Sequence, residues 1–147
     1  MGLKLPRQSR AIVVGCGMLG ASLAGGLSSW GYDVCVIDQD ARSFHRLSDS
    51  FQGFTDIGDG TSADVLERNG IEGAAMVLAL SSRDDTNILT AELASRIYGV
   101  PEVFARLFDE HKEVVLDGFG VKVLCPRRLC EDRFAELSGI PIREVLQ

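Results

Sequence analysis

The sequence predicts an α/β fold, a doubly wound parallel sheet of six strands with helices on both faces. Three observations carry that expectation. Short apolar runs alternate with amphipathic ones along the chain, the pattern of successive strand–helix–strand units with a parallel sheet. The run AAMVLALS (residues 74–81) is almost wholly apolar, as a strand covered on both faces must be. Finally, the first apolar run, AIVVG, leads straight into Gly15-x-Gly17-x-x-Gly20, a glycine-rich turn between a strand and a helix.

The elements follow in order. AIVVG (11–15) is the first strand, and residues 18–30 form a helix that ends near Gly31. YDVCVID (32–38) is the second strand, closing on Asp38, followed by a short helix over 41–49 and a short third strand, GFTDIG (53–58). Thr61-Ser62-Ala63-Asp64 resembles a capping box with Asp in place of Glu. The helix behind it (63–70) stops at Gly70, a residue suited to the left-handed position after a helix. Residues 74–81 are the fourth strand. The helix over 84–99 opens with two acids and places Leu89, Leu93 and Ile97 on one face. EVFARLF (102–108) is the fifth strand, 109–117 a helix and VKVLCP (121–126) the sixth strand. Pro126 cannot continue a central ladder, and 128–137 reads as the last helix. Right-handed crossovers then order the strands 3-2-1-4-5-6, a Rossmann-like sheet. A chain of 147 residues suits one such domain.

Composition excludes several function classes. A formal net charge of −6 argues against nucleic-acid binding, which needs a basic face to neutralise phosphates. No apolar run approaches the ~20 residues of a membrane-spanning helix, and the start MGLKLPRQSR has no apolar middle of a signal peptide. Pro6 occupies the position where a myristoylation signal carries Ser or Thr. Cys16, Cys35, Cys125 and Cys130 form no C-x-x-C pair and read as free thiols of a reducing compartment. His45 and His111 lie far apart without ligand-like neighbours, so no metal site is expected.

The candidate site centres on the glycine motif, because strand, helix and a following acid are all in place. Gly15 permits the tight turn, Gly17 lets backbone approach a pyrophosphate, and Gly20 lets helix and strand pack closely. Cys16, Met18 and Leu19 complete the loop, and the helix N-terminus offers N–H groups and positive dipole to phosphates. Asp38, with Gln39 beside it, lies 18 residues past Gly20, where an acid bonds the ribose hydroxyls of an adenosine. A carboxylate there disfavours the 2′-phosphate of NADP and leaves NAD, ATP, ADP and AMP open; Arg42 reads as a solvated side chain. Asp59 either accepts from the adenine amino group or, with Gly60, only makes the turn before the next helix. Ala79, Leu80, Ser81 and Ser82 lie at the end of the fourth strand beside the topological switch point and are expected to pack against the nucleotide, with Asp84 as a helix cap and Asn87 a polar residue one turn in. Arg106 shares a strand face with Phe104 and Phe108. A charge in a buried sheet needs a partner or ligand, so it meets a phosphate or a neighbouring subunit, or reaches solvent at the strand end.

The runs GCGMLGASLAGGLSSWGYDVCVIDQD, GDGTSADVLERNGIEGAAMVLALSSRDDTN and ARLFDEHKEVVLDGFGVKVLCPRRL resemble the RCK domain (regulator of potassium conductance). This is the amino-terminal nucleotide-binding domain of Trk- and Ktr-type potassium-uptake regulators and of some potassium channels. The resemblance spans residues 10–139, leaving 1–9 as an extension and 140–147 as a tail without the family's usual carboxyl-terminal regulatory domain. It implies a cytoplasmic, non-enzymatic regulator that forms a homodimer and a higher ring. The ring would dock beneath a membrane potassium transporter or channel without inserting into the membrane, and NAD(H) or an adenine nucleotide would gate ion flux through it. By position, Gly15, Gly17 and Gly20 cradle phosphates, Asp38 holds the ribose, Asp59 lies near the adenine, and Arg106 matches the basic position of the fifth strand. Members that sense ATP often carry arginine where this chain has Met18, which leaves NAD(H), ADP and AMP ahead of a triphosphate. Two alternatives stand beside this reading. A small NAD-dependent oxidoreductase lacks support, because no Tyr-x-x-x-Lys pair occurs and Tyr98 has no lysine four residues on. A stand-alone nucleotide or redox sensor would rest on Cys16.

Overall fold

A computed structural model describes residues 9–145. Most of the expected extension over 1–9, and the end of the expected tail over 140–147, lie outside the described residues. Six strands form one all-parallel sheet: β1 (Arg10–Val14), β2 (Asp33–Asp38), β3 (Phe54–Ile57), β4 (Met76–Ala79), β5 (Glu102–Arg106) and β6 (Lys122–Leu124). Their order is β3-β2-β1-β4-β5-β6, as the sequence predicts. Val13 is in register with Val36 on β2 and with Leu78 on β4, so β1 lies between the two halves of the sheet.

Side chains alternate across each strand, and the sheet has a core on each face. Ala11 and Val13 join Val34, Val36 and Leu78 under Ala21 and Ala24 of α1 (Met18–Ser29). Ile12, Cys35, Ile37 and Val77 face the other way, packed with Val65 and Leu66 of α2 (Ala63–Arg68) and Ala91 of α3 (Asp84–Glu92). Both faces are therefore covered, which is why the central strands read as continuous apolar runs.

Several elements differ locally from the sequence expectation. The helices expected over 41–49 and 109–117 are short 3₁₀ segments, Ala41–Arg46 and Glu110–Leu116. Asp40 and Asp109 each accept the backbone N–H two residues on, from Arg42 and His111, and this tight start favours the narrower coil. The cap of α2 is Ser62 rather than Thr61, its hydroxyl accepting the Val65 N–H. Of the stripe Leu89, Leu93, Ile97, only Leu93 packs against the core, half-buried, and the stripe is not the fully buried face of the helix. That face is Asn87, Thr90, Ala91 and Ala94, while Leu89 is 44% and Ile97 68% exposed. A π-helical turn over Leu93–Ile97, closed by the Tyr98 N–H on the Leu93 carbonyl, breaks the expected periodicity.

The last main helix, α4 (Pro126–Ser138), starts two residues early because Pro126 suits its first turn, and it ends on left-handed Gly139. A further short helix, α5 (Ile142–Val145), follows within the expected tail. Arg143 ties α5 back to Glu110, Glu131 and Asp132.

Candidate functional site

The loop between β1 and α1 lies at the carboxyl ends of the strands, where the chain passes to β2 on one side and β4 on the other. Parallel sheets bind ligands at such switch points. The three glycines serve different ends. Gly15 has φ +103°, and a Cβ there would stand 2.7 Å from the backbone of Leu80 and Ser81. At Gly20 a Cβ would fall on the Gly15 carbonyl, so this glycine lets α1 press against the loop. Gly17 has no neighbour within 4 Å of a Cβ position, so only a ligand would feel a side chain there.

Helix α1 starts at Gly17 with no side-chain cap and no acid in its first turn. Its first N–H groups and its dipole are thus left to an anion. Across the loop, Asp38 accepts the Cys16 N–H at 2.8 Å and the Asp40 N–H at 2.8 Å. These bonds fix the carboxylate and leave it lone pairs for a diol.

The resulting cleft has a volume of about 410 Å³. Of the residues singled out in the sequence, Gly15, Cys16, Gly17, Asp38 and Gln39 line one side of it, with Gly60, Leu80, Ser81 and Arg106 opposite. Met18 does not: it is 86% exposed and faces a neighbouring groove along α1. Leu19 packs into the core under α1, and Ala79 is fully buried in β4. Asp59 is also absent from the lining. It accepts the Thr61 N–H at 2.8 Å and the Thr61 hydroxyl at 2.7 Å, and the Thr61 hydroxyl holds its carboxyl below the usual carboxylate value. The geometry thus uses Asp59 in the turn, with Gly60 behind it pressed on Val14.

Asn87 fixes the far wall. It is fully buried, accepts from the Ser81 N–H and Ser81 hydroxyl at 2.8 Å each, and donates to the Ser81 and Arg106 carbonyls at 3.0 and 2.9 Å. Every hydrogen-bonding group of its amide is engaged. The Arg106 Nη2 donates to the carbonyls of Leu80 and Ser81 at 2.7 and 2.9 Å. Its Nε is buried without a partner among the described residues. Burial pulls the guanidinium pKa below its ordinary value, yet an arginine stays charged. Asp84 caps the exit of β5, accepting the N–H groups of Phe108 and Asp109, rather than its own helix.

The cleft also contains Ser82, which the sequence reading grouped with the end of β4, and residues that it did not single out: Ser43 and Arg46 after β2, and Arg83 and Thr86 after β4. Position was the available signal, since both segments directly follow strands that end at the switch point. The Cys16 thiol is buried and its pKa is raised, first by that burial and then by Asp38, so it is no reactive thiolate. Among the described residues, no three His, Cys, Asp or Glu side chains group as metal ligands, and no helix is long and apolar enough to cross a membrane.

The open approach at Gly17, the uncapped helix, the fixed carboxylate and the unmet Arg106 donor fit a phosphorylated adenosine. Comparison with known proteins bears on the family and on the fold. The model of the TrkA-N domain matches residues 11–126. The chain is 38% identical over 122 residues to a Trk system potassium uptake protein TrkA of Streptomyces coelicolor, covering 83% of this chain and 55% of that protein. It thus spans about half the length of that relative. Among solved structures, the GsuK channel bound to NAD superposes with a TM-score of 0.71 at 19% identity, over 90% of this chain and 24% of the channel. The Shewanella denitrificans Kef carboxyl-terminal domain in its AMP-bound form gives 0.70 at 19% identity, over 88% and 80%. At such identities these two structures bear on the fold.

Proposed function

The chain belongs to the TrkA-N domain family, and from that membership we propose that it is a nucleotide-sensing regulatory domain. It binds NAD(H) or an adenine nucleotide in the cleft over the glycine loop and gates a partner membrane potassium transporter or channel. The observation that carries the ligand reading is the bond from the Cys16 N–H to Asp38. One carboxylate orients the glycine loop and stands where an adenosine ribose would lie. The ribose diol donates to Asp38, the phosphates approach across Gly17 to the start of α1, and Arg106 supplies positive charge from the far wall.

Regulation follows as a population shift: a ligand moves an equilibrium between conformations only by its differential affinity for them. Turnover is not assigned to the cleft. Its one carboxylate, Asp38, is held by two N–H groups, and burial keeps Cys16 protonated. The domain works in the cytoplasm as a homodimer within a ring, at the inner face of the membrane through its partner. Helix α4 supports an assembled state, since it buries no residue and leaves Leu129, Phe134 and Leu137 exposed. The test is a thermal-shift and calorimetric panel of AMP, ADP, ATP, NAD, NADH and NADPH. The reading expects a saturable rise of the midpoint by mass action with at least one of the first five. No shift at millimolar ligand refutes it, and steady oxidation of NADH with a carbonyl substrate refutes a purely regulatory role.

A further inference from the structure

The chain is acidic overall, yet the cleft is not. Eleven arginines lie among the described residues. Arg10, Arg42 and Arg68 each pair with an aspartate near the β3 side of the sheet, and Arg127, Arg128, Arg133 and Arg143 pair with acids around α4 and α5. Both described lysines, Lys112 and Lys122, are paired as well. Among the described residues, four arginines have no carboxylate oxygen within 4.0 Å. Arg96 lies over the Phe119 ring at 4.8 Å; the other three, Arg46, Arg83 and Arg106, all line the one cleft. Against them the lining offers a single carboxylate, Asp38. In a protein that pairs its cations so consistently, three guanidiniums around one carboxylate mark the place of a multiply charged anion.

The positions of the two outer arginines say which part of the ligand they reach. Arg46 ends the 3₁₀ segment after β2, and its Nη1 donates to the Cys16 carbonyl at 3.4 Å, so its guanidinium stands at the glycine loop from the Asp38 side. Arg83 stands on the opposite wall, where the β4 exit turns into α3. Its guanidinium makes no hydrogen bond or ion pair among the described residues. The glycine loop supplies no cation of its own, because Gly15 to Gly20 include no basic residue.

We propose that Arg46 and Arg83 grip a ligand's linked phosphates from the two sides of the glycine loop. The site thereby selects adenosine compounds with a pyrophosphate, such as ADP or a dinucleotide, over AMP and adenosine. This rests on the nucleotide-binding reading of the cleft and adds to it two specificity-determining residues.

The test is calorimetry on the full chain at fixed salt, with adenosine, AMP, ADP, NAD and inorganic pyrophosphate as probes. Wild type is compared with Arg46→Ala, Arg83→Ala and the double variant, and melting temperature serves as a folding control. Wild type should bind ADP at least about tenfold more tightly than AMP, and each single variant should lose roughly fivefold or more for ADP, NAD and pyrophosphate. Adenosine affinity should stay unchanged, the double variant should bind ADP and AMP alike, and its salt dependence should flatten. Variants that leave ADP affinity intact, or that lose adenosine and ADP in equal measure, overturn the proposal while the nucleotide site stands. So does a wild type that binds AMP as tightly as ADP. A wild type that binds pyrophosphate in an Arg46- and Arg83-dependent way but no adenine compound supports the cation pair and overturns the nucleotide reading. Binding of none of the probes overturns both.

Discussion

Replacing Asp38 by Asn separates the two tasks of that carboxylate. In the native cleft its two oxygens accept the N–H groups of Cys16 and Asp40, each at 2.8 Å. An amide keeps one acceptor oxygen, but its NH₂ must face the second backbone N–H, donor against donor. One loop bond is lost, at about 1 kcal/mol for a partly solvated site, and the free protein should be less stable by that amount. Binding loses more. A ribose diol donating to a carboxylate makes charge-assisted bonds worth about 1.5–3 kcal/mol, roughly twice a neutral bond. Removing the charge and disordering the loop should together cost about 2 kcal/mol, a roughly thirtyfold weaker affinity. Calorimetry with ADP and NAD reads the affinity, and urea unfolding of the free protein reads the stability. A pyrophosphate control should change far less than ADP, because pyrophosphate has no ribose. An Asn variant with wild-type affinity for ADP would refute the ribose assignment, and equal losses for ADP and pyrophosphate would place Asp38 in the loop's architecture alone.

Gly15→Ala and Gly17→Ala should behave oppositely. The first forces a Cβ at φ +103° against the Leu80 backbone and should destabilise by about 2–5 kcal/mol. The second, with φ −79° and open space around it, should leave stability within about 0.5 kcal/mol while weakening nucleotide by at least about tenfold; urea midpoints and calorimetry on both variants decide it. Asn87→Ala strands the buried groups that its amide now serves and should cost about 2–4 kcal/mol by urea unfolding, with looser ligand binding because Ser81 and Arg106 lose their anchor. The thiol of Cys35 is pushed up to about 11, chiefly by burial. Above pH 9 the unfolded chain releases that proton before the folded one does, so stability should fall between pH 9 and 11. A Cys35→Ala variant should show a shallower fall over that window in denaturation curves, and parallel curves would remove the assignment.

The sheet was legible because its strands are buried on both faces, and such strands announce themselves as apolar runs such as AAMVLALS. The strand order followed from crossover handedness. What misled was α3 and the turn after it, where hydrophobic periodicity points to Leu89, Leu93 and Ile97, of which only Leu93 packs against the core. There the inward face is polar and small: Asn87 staples the cleft wall, and the Thr90 hydroxyl donates to the Gly60 carbonyl at 2.9 Å. A helix that buries hydrogen-bonded groups inverts the signal, and the π turn after it breaks the phase. The glycine loop, Asp38 and Arg106 were legible because a strand end and a local motif place them. Asp59 was ambiguous between turn and ligand until its bonds to Thr61 were in view. Arg46 and Arg83 stayed hidden for a different reason. Their meaning lies in having no ion-pair partner within 4.0 Å among the described residues, a fact of three-dimensional charge pairing that no local pattern carries.

That contrast bears on how a binding event could become a signal. Asp38 is held by two N–H groups, Arg106 by two carbonyls, and Asn87 locks the far wall. Groups so fixed would meet a ligand alike in either of two conformations, and uniform affinity shifts no equilibrium however tight it is. A tenfold shift requires about 1.4 kcal/mol of difference between states, and that difference has to come from contacts that can change. In this chain those are at the rim: the Arg83 guanidinium, without a polar partner among the described residues, and Arg46 with one long bond. On the proposed nucleotide reading, the prebuilt floor would serve recognition of an adenosine phosphate, and the state-dependent affinity that gating needs would come from the rim above it.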